Sequence, residues 1–240
     1  MVVLRNYIEG LIPGDIPFTV VGGLPVVNGG QAQDPYVAEQ IEAGVKFDGG
    51  SLGATFSLFN LDRPFGVYEP FDDPATAGDE LVFRADGEQR NRGVELSLFG
   101  QPHEQVRLIG GLTYLDAEMT ETQDGLFEGN TAVGSPDFQA NFNVEWDIAP
   151  IEGLTLDARV IYTSSQYADA ANETEVPSWN RFDIGARYSM EIAGRPFTVR
   201  GRVDNVTNEN EWVSVGGYPG SNYLVLGAPR TFVLSASMDF

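Results

Sequence analysis

From residue 37 to the end of the chain, apolar and polar residues alternate with a period of two in segment after segment. Ile41, Ala43, Val45 and Phe47 share one face of the first segment, and Leu52, Ala54, Phe56 and Leu58 one face of the second. The pattern recurs at 94–98, 106–114, 138–146, 154–162, 182–190 and 197–203, and closes with Phe232, Leu234, Ala236, Met238 and Phe240. These faces carry no charge. The opposite faces and their flanks carry Glu42, Lys46, Glu95, Arg107, Glu145, Asp157, Arg159, Arg181, Asp183, Arg187, Arg200, Arg202, Asp204 and Asp239. Side chains two apart project from the same face of a strand, so each segment reads as a strand with one apolar and one polar surface. Gly, Pro, Asn and Asp clusters between segments mark the turns. Residues 1–8 read as one more strand and 9–36 as a Gly- and Pro-rich connector, giving ten antiparallel strands in an all-β fold.

Alternation alone fits a half-buried soluble sheet as well as a membrane barrel. Three features favour the barrel. Short connectors near 48–51, 100–104, 148–152 and 191–195 alternate with long ones near 64–78, 119–134, 166–178 and 206–230. In an up-and-down barrel every second connector lies on the same rim, so one rim carries tight turns and the other long loops. Phe47, Tyr114, Trp146, Tyr162, Tyr188 and Phe197 stand near the ends of apolar faces, where a membrane barrel carries its aromatic girdles. The terminal segment TFVLSASMDF ends in an aromatic residue with apolar residues at every second position before it, an edge that would aggregate in a soluble sheet. With Phe240 at the inner rim, 9–36 and the four long connectors become external loops.

Composition narrows the function. No run of 18 apolar residues marks a membrane helix, which leaves strands of about 9–11 residues as the way across a bilayer. There is no Cys and one His, so a thiol nucleophile, a disulfide scaffold and a Cys-based zinc site are excluded. Fourteen Lys and Arg against 35 Asp and Glu give a net charge of −21, which repels phosphate and argues against nucleic acid as a partner. His103 lies in QPHEQ, an inner turn with no Ser and acid placed around it in a recognisable catalytic motif, so no enzyme activity is expected. The pairs Asp72/Asp73 and Asp79/Glu80 lack the ligand spacing of a calcium loop and read as solvated acids; no metal site and no cofactor are assigned.

Four stretches carry a family resemblance. EQRNRGVELSL (88–98) resembles the Gly-Glu-x-Arg-x-Arg-Gly-x-Glu-Leu strand of TonB-dependent siderophore receptors of the ferrichrome-receptor type. GLTLDARVIYTSSQYADAAN (153–172) is similar to that family's Gly-Leu-Thr-Leu strand and following Tyr-x-Asp-x-x-Asn loop. VPSWNRFDIGARYSM (176–190) and LGAPRTFVLSASMDF (226–240) resemble its Val-Pro…Arg-x-Asp-x-Gly strand and its Gly-x-Pro-Arg terminal strand. The resemblance covers about 37–240 and more weakly 1–36, where YIEGLIPG (7–14) looks like a family strand ending in Gly-Leu-x-Pro-Gly. NVTNENEW (205–212) departs from the family's Asn-Leu-Phe-Asp-Lys-x-Tyr and matches it only at Asn205.

The resemblance implies about ten C-terminal strands of a 22-stranded transmembrane antiparallel β-barrel in the bacterial outer membrane. Residues 1–240 are then the C-terminal portion of the receptor barrel, with plug domain and signal peptide absent. Ten strands of that curvature do not close, and open edges at membrane depth cost several kcal/mol per unpaired backbone group. The implied function is uptake of a ferric siderophore, energised by the TonB complex through the missing N-terminal region. Outer-membrane lipid and the barrel assembly machinery are further partners. Other cargo, such as cobalamin, haem or a saccharide, and a small structural barrel without transport remain as alternatives.

Site residues follow on the same terms. Asp157, Arg159, Arg181, Asp183, Arg187, Arg200, Arg202 and Asp204 are expected to form a charge lattice on the lumen wall. Trp212, Tyr218, Tyr223, Tyr167, Phe127 and Tyr68, with Phe71 beside them, are the candidate ligand-binding aromatics of the external loops, and Gly216, Gly217 and Gly220 would let the last loop move. Phe232, Leu234, Met238 and Phe240 form the expected assembly signal.

Overall fold

The computed structural model describes residues 1–71, 79–218 and 221–239, with backbone alone at 217, 218, 221 and 222. In chain order the strands are β1 (Val2–Ile12), β2 (Val20–Val21), β3 (Leu24–Pro25), β4 (Tyr36–Asp48), β5 (Leu52–Pro70), β6 (Leu81–His103), β7 (Val106–Glu121) and β8 (Phe138–Asp147). They continue as β9 (Leu154–Thr163), β10 (Gln166–Tyr167), β11 (Glu175–Val176), β12 (Trp179–Ile192), β13 (Arg195–Asp204), β14 (Trp212–Tyr218), β15 (Ser221–Leu226) and β16 (Thr231–Met238). Ten of them form one antiparallel sheet, in the order β1-β4-β5-β6-β7-β8-β9-β12-β13-β16. The other six pair as hairpins β2–β3, β10–β11 and β14–β15, each inside a long connector. The ten expected strands and the alternation of short and long connectors are present, and β1 and β16 each have one strand neighbour among the described residues.

Three boundaries differ from the sequence reading. Residues 9–12 and 64–70, expected in connectors, and 81–87, outside the predicted strands, are strand: β1 runs to Ile12, and β5 and β6 stay paired from Leu52↔Gly100 out to Pro70↔Leu81, across a bulge between Phe65 and Val67. At about 3.4 Å per residue the 23 residues of β6 run far beyond a bilayer. Outside the membrane both faces meet water or loops, so the period-two signal fades while the backbone ladder continues. Phe240, Asp72, Asp73 and Gly220 lie outside the described residues, as does the side chain of Tyr218.

Burial across the sheet is inverted relative to a soluble protein. The apolar face is the exposed one, with Phe56 42%, Trp146 51%, Ile184 49% and Leu234 80% exposed, whereas Ser57, Thr155, Thr163 and Asp183 on the polar face are each 6% exposed or less. A curved sheet shields its concave side, so the polar face lines the lumen and the apolar face looks outward, as a barrel wall in lipid requires. Aromatics mark two levels on that outer face. Tyr114, Phe138 and Tyr162 cluster toward the long-loop rim, with Tyr114 opposite Phe138 and the Phe138 and Tyr162 ring centroids 5.9 Å apart. Trp146, Tyr188 and Phe197 lie toward the short-turn rim. Phe138 to Trp146 is eight residues along β8, roughly 20 Å of height at the usual strand tilt, near the ~25 Å apolar band of an outer-membrane barrel.

The buried apolar cluster of the described residues is not in the sheet's membrane-length section. Val26, Tyr36, Leu81 and Phe83, with Ile12, Val21, Leu24 and Tyr68 against them, pack where the 13–35 loop meets the outer ends of β5 and β6.

Candidate functional site

The sites of interest are the lumenal charges and the loop rim above them. The charge lattice resolves into two clusters. At the outer end, Asp183 is 1% exposed and accepts hydrogen bonds from Arg181 Nε at 2.8 Å, Arg202 Nη2 at 3.2 Å and the Asn205 amide at 2.8 Å. Asp204 pairs with Arg202 at 2.6 Å and with Arg181 at 3.9 Å. Toward the inner rim, Arg107 holds Asp147 with two bonds at 2.7 and 2.9 Å and Glu145 at 3.1 Å. Arg187 Nη2 approaches Glu145 at 3.8 Å and donates to Thr155 Oγ1 at 3.1 Å. Arg187 stands opposite Arg200 in the β12–β13 register, and two cations facing one another repel, so Arg187 leans toward β8 and β9 instead. Arg159 donates to Asn141 at 3.3 Å between the clusters. Asp157 lies over Gly185, and Arg200 shares a polar recess with Arg187 and Arg202.

The outer cluster includes two residues that the strand pattern did not single out as site residues. Asn205, fully buried, takes a left-handed φ of 54° that Asn tolerates. Its side chain accepts from the Glu209 amide at 2.8 Å and donates to the Glu209 and Ala228 carbonyls at 2.8 and 3.1 Å, tying both ends of the last loop to β12 and β13. Glu211, 1% exposed, lies 3.6 Å from Arg181 Nη1, and neither of its oxygens has a hydrogen-bond partner among the described residues. Burial raises its pKa above the usual carboxylate value, and the nearby Arg181 offsets only part of that rise. The NVTNENEW segment is thus held by Asn205 together with the Val206 amide on the Phe182 carbonyl, Asn208 accepting from the Arg230 amide and the buried Glu211.

The long loops form two connected groups. In the first, Asn28 Nδ2 donates to the Phe83 carbonyl at 2.8 Å, its Oδ1 accepts from the Phe83 amide at 2.9 Å, and Val26 bridges Leu81. Tyr68 belongs to this group: its ring meets Phe83 edge-on at 5.0 Å and its hydroxyl accepts from the Phe18 amide at 3.0 Å. In the second, Asn172 exchanges bonds of 2.8 and 3.0 Å with the Thr131 backbone, and Asn130 donates to the Ala170 carbonyl at 2.8 Å. Asp169 accepts from the Glu173 and Thr174 amides at 3.0 and 2.6 Å, and hydrogen bonding by the Thr174 side chain together with these amides holds its pKa below the usual carboxylate value. The Gly134 amide donates to the Tyr167 carbonyl at 2.9 Å, and Gly134 abuts the Val215 backbone. The 122–137 loop, the 164–178 loop and the β14–β15 hairpin therefore form one body.

Tyr167 and Trp212, both half-buried, and Tyr223, 50% exposed with its ring over Gly216, lie in this second body. Phe127, 40% exposed, sits in its 122–137 loop with φ of 65°. Tyr68 stands apart from them in the first. The Phe232, Leu234 and Met238 series lies on β16, with Phe232 75% exposed.

Comparison with known proteins identifies the fold. Residues 6–206 match the family model described as TonB dependent receptor-like, beta-barrel. The chain is 42% identical over 235 residues to the ferrichrome receptor FcuA of Yersinia enterocolitica, covering 98% of this chain and 30% of the relative. It is 27% identical over 217 residues to the ferrioxamine B receptor of Salmonella typhimurium, covering 88% of this chain and 29% of the relative. The crystal structure of BauA, the ferric preacinetobactin receptor of Acinetobacter baumannii, superposes with a TM-score of 0.83 at 41% identity over 99% of this chain and 34% of that one. The chain thus spans about a third of the length of the relatives it matches.

Proposed function

Because the chain belongs to the TonB-dependent receptor β-barrel family, we propose that it forms one wall of an outer-membrane receptor that takes up a ferric siderophore, with energy supplied by the TonB complex. The wall contributes ten adjacent strands of a larger barrel. Its lumenal charges support the wall and whatever fills the lumen, and its outer loops meet the cargo. The observation that carries this reading is the inverted sheet, with an apolar outer face, a polar concave face and all long loops on one rim, in a chain 42% identical to a ferrichrome receptor. The exposed apolar face contacts outer-membrane lipid, and the alternating apolar residues of β16 serve recognition by the barrel assembly machinery. Trp212, Tyr223 and Tyr167 are the loop aromatics best placed to touch cargo, since they share one body at the rim. Tyr68 serves the loop packing around Phe83.

The test is uptake of radioactive iron. Cells with the intact gene accumulate iron from at least one ferric siderophore, and deleting either the gene or the TonB complex reduces that accumulation to background. Accumulation that persists without the TonB complex, or no dependence on the gene across a panel of ferric siderophores, would contradict the proposal.

A further inference from the structure

The last external loop carries a hairpin that continues the β13–β16 pair outward. β14 follows β13, and β15 leads into β16. The Gly227 amide donates to the Glu211 carbonyl at 2.7 Å and Asn205 Nδ2 donates to the Ala228 carbonyl at 3.1 Å, so the outer pair stands on the inner one. β14 leans on the 122–137 loop and on β12, where Val213, Ser214 and Val215 share a recess with Gly134, Pro136 and Trp179. β15 therefore lies on the other side, above β16, and both strands have one strand neighbour among the described residues.

β15 differs from the rest of the rim. Leu224, Val225 and Leu226 are consecutive, so they project from both faces of the strand, and they are 43%, 44% and 56% exposed. A strand with both faces apolar and one edge open pairs with whatever extended chain it meets unless something covers it, and three exposed aliphatic residues in a row are a poor surface for water. Charge narrows what could cover it. Residues 212–226 contain no charged side chain, whereas the connectors 13–35, 71–80, 122–137 and 164–178 hold twelve acidic residues and no basic one. A charged partner finds nothing to pair with on β15; an extended apolar segment finds an open backbone ladder and aliphatic contacts. The chain spans about a third of the length of its relatives, so on the receptor reading the strand that lies beside β16 brings an external loop of its own next to β15.

We propose that β15 is the docking edge for an extended apolar stretch of that neighbouring loop, a part of the same polypeptide outside residues 1–240. The stretch adds a third strand to the β14–β15 sheet and covers Leu224, Val225 and Leu226. The ladder that joins the two ends of the barrel within the membrane then continues through the external loops. The 122–137 loop, the 164–178 loop and the hairpin, already one body, are thereby tied to the far side of that seam. The proposal rests on the receptor reading given above and goes beyond it by naming what the last loop binds.

The test is photo-crosslinking in cells that express the intact gene. A benzophenone amino acid replaces Val225 in one variant and Leu226 in a second; a third carries it at Leu126, 61% exposed in the 122–137 loop, as the control. Variants are used only where heat-modifiable migration, the mark of a folded barrel, is kept. After illumination, mass spectrometry of the digested outer-membrane protein should find positions 225 and 226 joined to one peptide of the same polypeptide outside residues 1–240, and position 126 not joined to it. Adducts with a second copy, another protein, lipid or residues 1–240, or no adduct at all, overturn the proposal. A second measurement does not depend on the probe. Leu226 is exposed in this chain, so Leu226→Asp disturbs little unless a neighbour covers it. Limited proteolysis of the 206–230 segment and of the crosslinked peptide should then quicken together, by at least about tenfold. Unchanged cleavage of that peptide overturns the proposal as well. A native polypeptide near the 26.1 kDa of this chain would sink the receptor reading itself, whereas a full-length receptor with adducts elsewhere sinks this proposal alone.

Discussion

Asp183 and Glu211 both have carboxylates withdrawn from solvent, and they are buried on different terms. Asp183 accepts three hydrogen bonds, two of them from guanidinium groups, and one fixes the Asn205 amide at the root of the last loop. Removing it leaves Arg181 and Arg202 short of a partner, so Asp183→Ala is expected to cost about 3–5 kcal/mol locally. Amide hydrogen exchange at Asn205 should then accelerate by two orders of magnitude or more. Glu211 has one cation at 3.6 Å and no hydrogen bond to either oxygen. Its pKa is raised in the folded state, so the folded chain holds the proton more tightly than the unfolded chain. The loop is therefore unpenalised below the usual carboxylate range and loses stability as pH rises from there through the raised value. Glu211→Gln should abolish that pH dependence and leave the loop equally or more stable at neutral pH; exchange of the Gly227 amide, which donates to the Glu211 carbonyl at 2.7 Å, reads it directly. The sequence exposed Asp183 through its place on a polar strand face. It hid Glu211, because a carboxylate in a Gly- and Asn-rich connector looks solvated until the connector folds back onto β12.

Elements hold their positions by two devices that a hydrophobic pattern does not display. The first is an aromatic ring laid over a glycine on the neighbouring strand: Phe99 over Gly53, Phe59 over Gly93, Phe65 over Gly87 and Phe142 over Gly110, each a register partner. Such pairs fill the gap a glycine leaves in a sheet and pin the register. Period two was legible here because lipid outside and water inside sharpen the contrast between faces; the strand extensions beyond Asp62 and before Arg90 were not, since neither face meets lipid. The second device is the union of three loops through Gly134, which has φ of 72° and meets the Val215 backbone. A Cβ there is both strained and obstructed, at about 1–2 kcal/mol for the backbone alone. Gly134→Ala should therefore loosen the β14–β15 hairpin and the 164–178 loop together. Limited proteolysis of both segments is expected to quicken about tenfold while heat-modifiable migration is kept; loosening of the hairpin alone would mean that the loops move independently.

The molecule as a whole is a wall whose apolar side faces outward and whose packed apolar cluster sits at the loop rim. That inversion was readable in the sequence as uncharged alternate positions from Ile41 to Met238. Which face became concave, and how the loops joined, required the fold, because both depend on contacts between residues far apart in sequence, such as Asn28 with Phe83 and Asn172 with Thr131. The sheet order ends at β1 and β16, each paired on one side among the described residues, and backbone groups unpaired in lipid are costly. Closing this wall in a membrane therefore takes further strands beside β1 and β16. The most direct test is the mass and location of the native polypeptide, detected with an antibody against the 206–230 segment in fractionated cells. The expected result is a heat-modifiable species in the outer membrane at roughly 70–80 kDa, the size of 22 strands and a plug. A species near the 26.1 kDa of this chain, or one recovered in the soluble fraction, would contradict it.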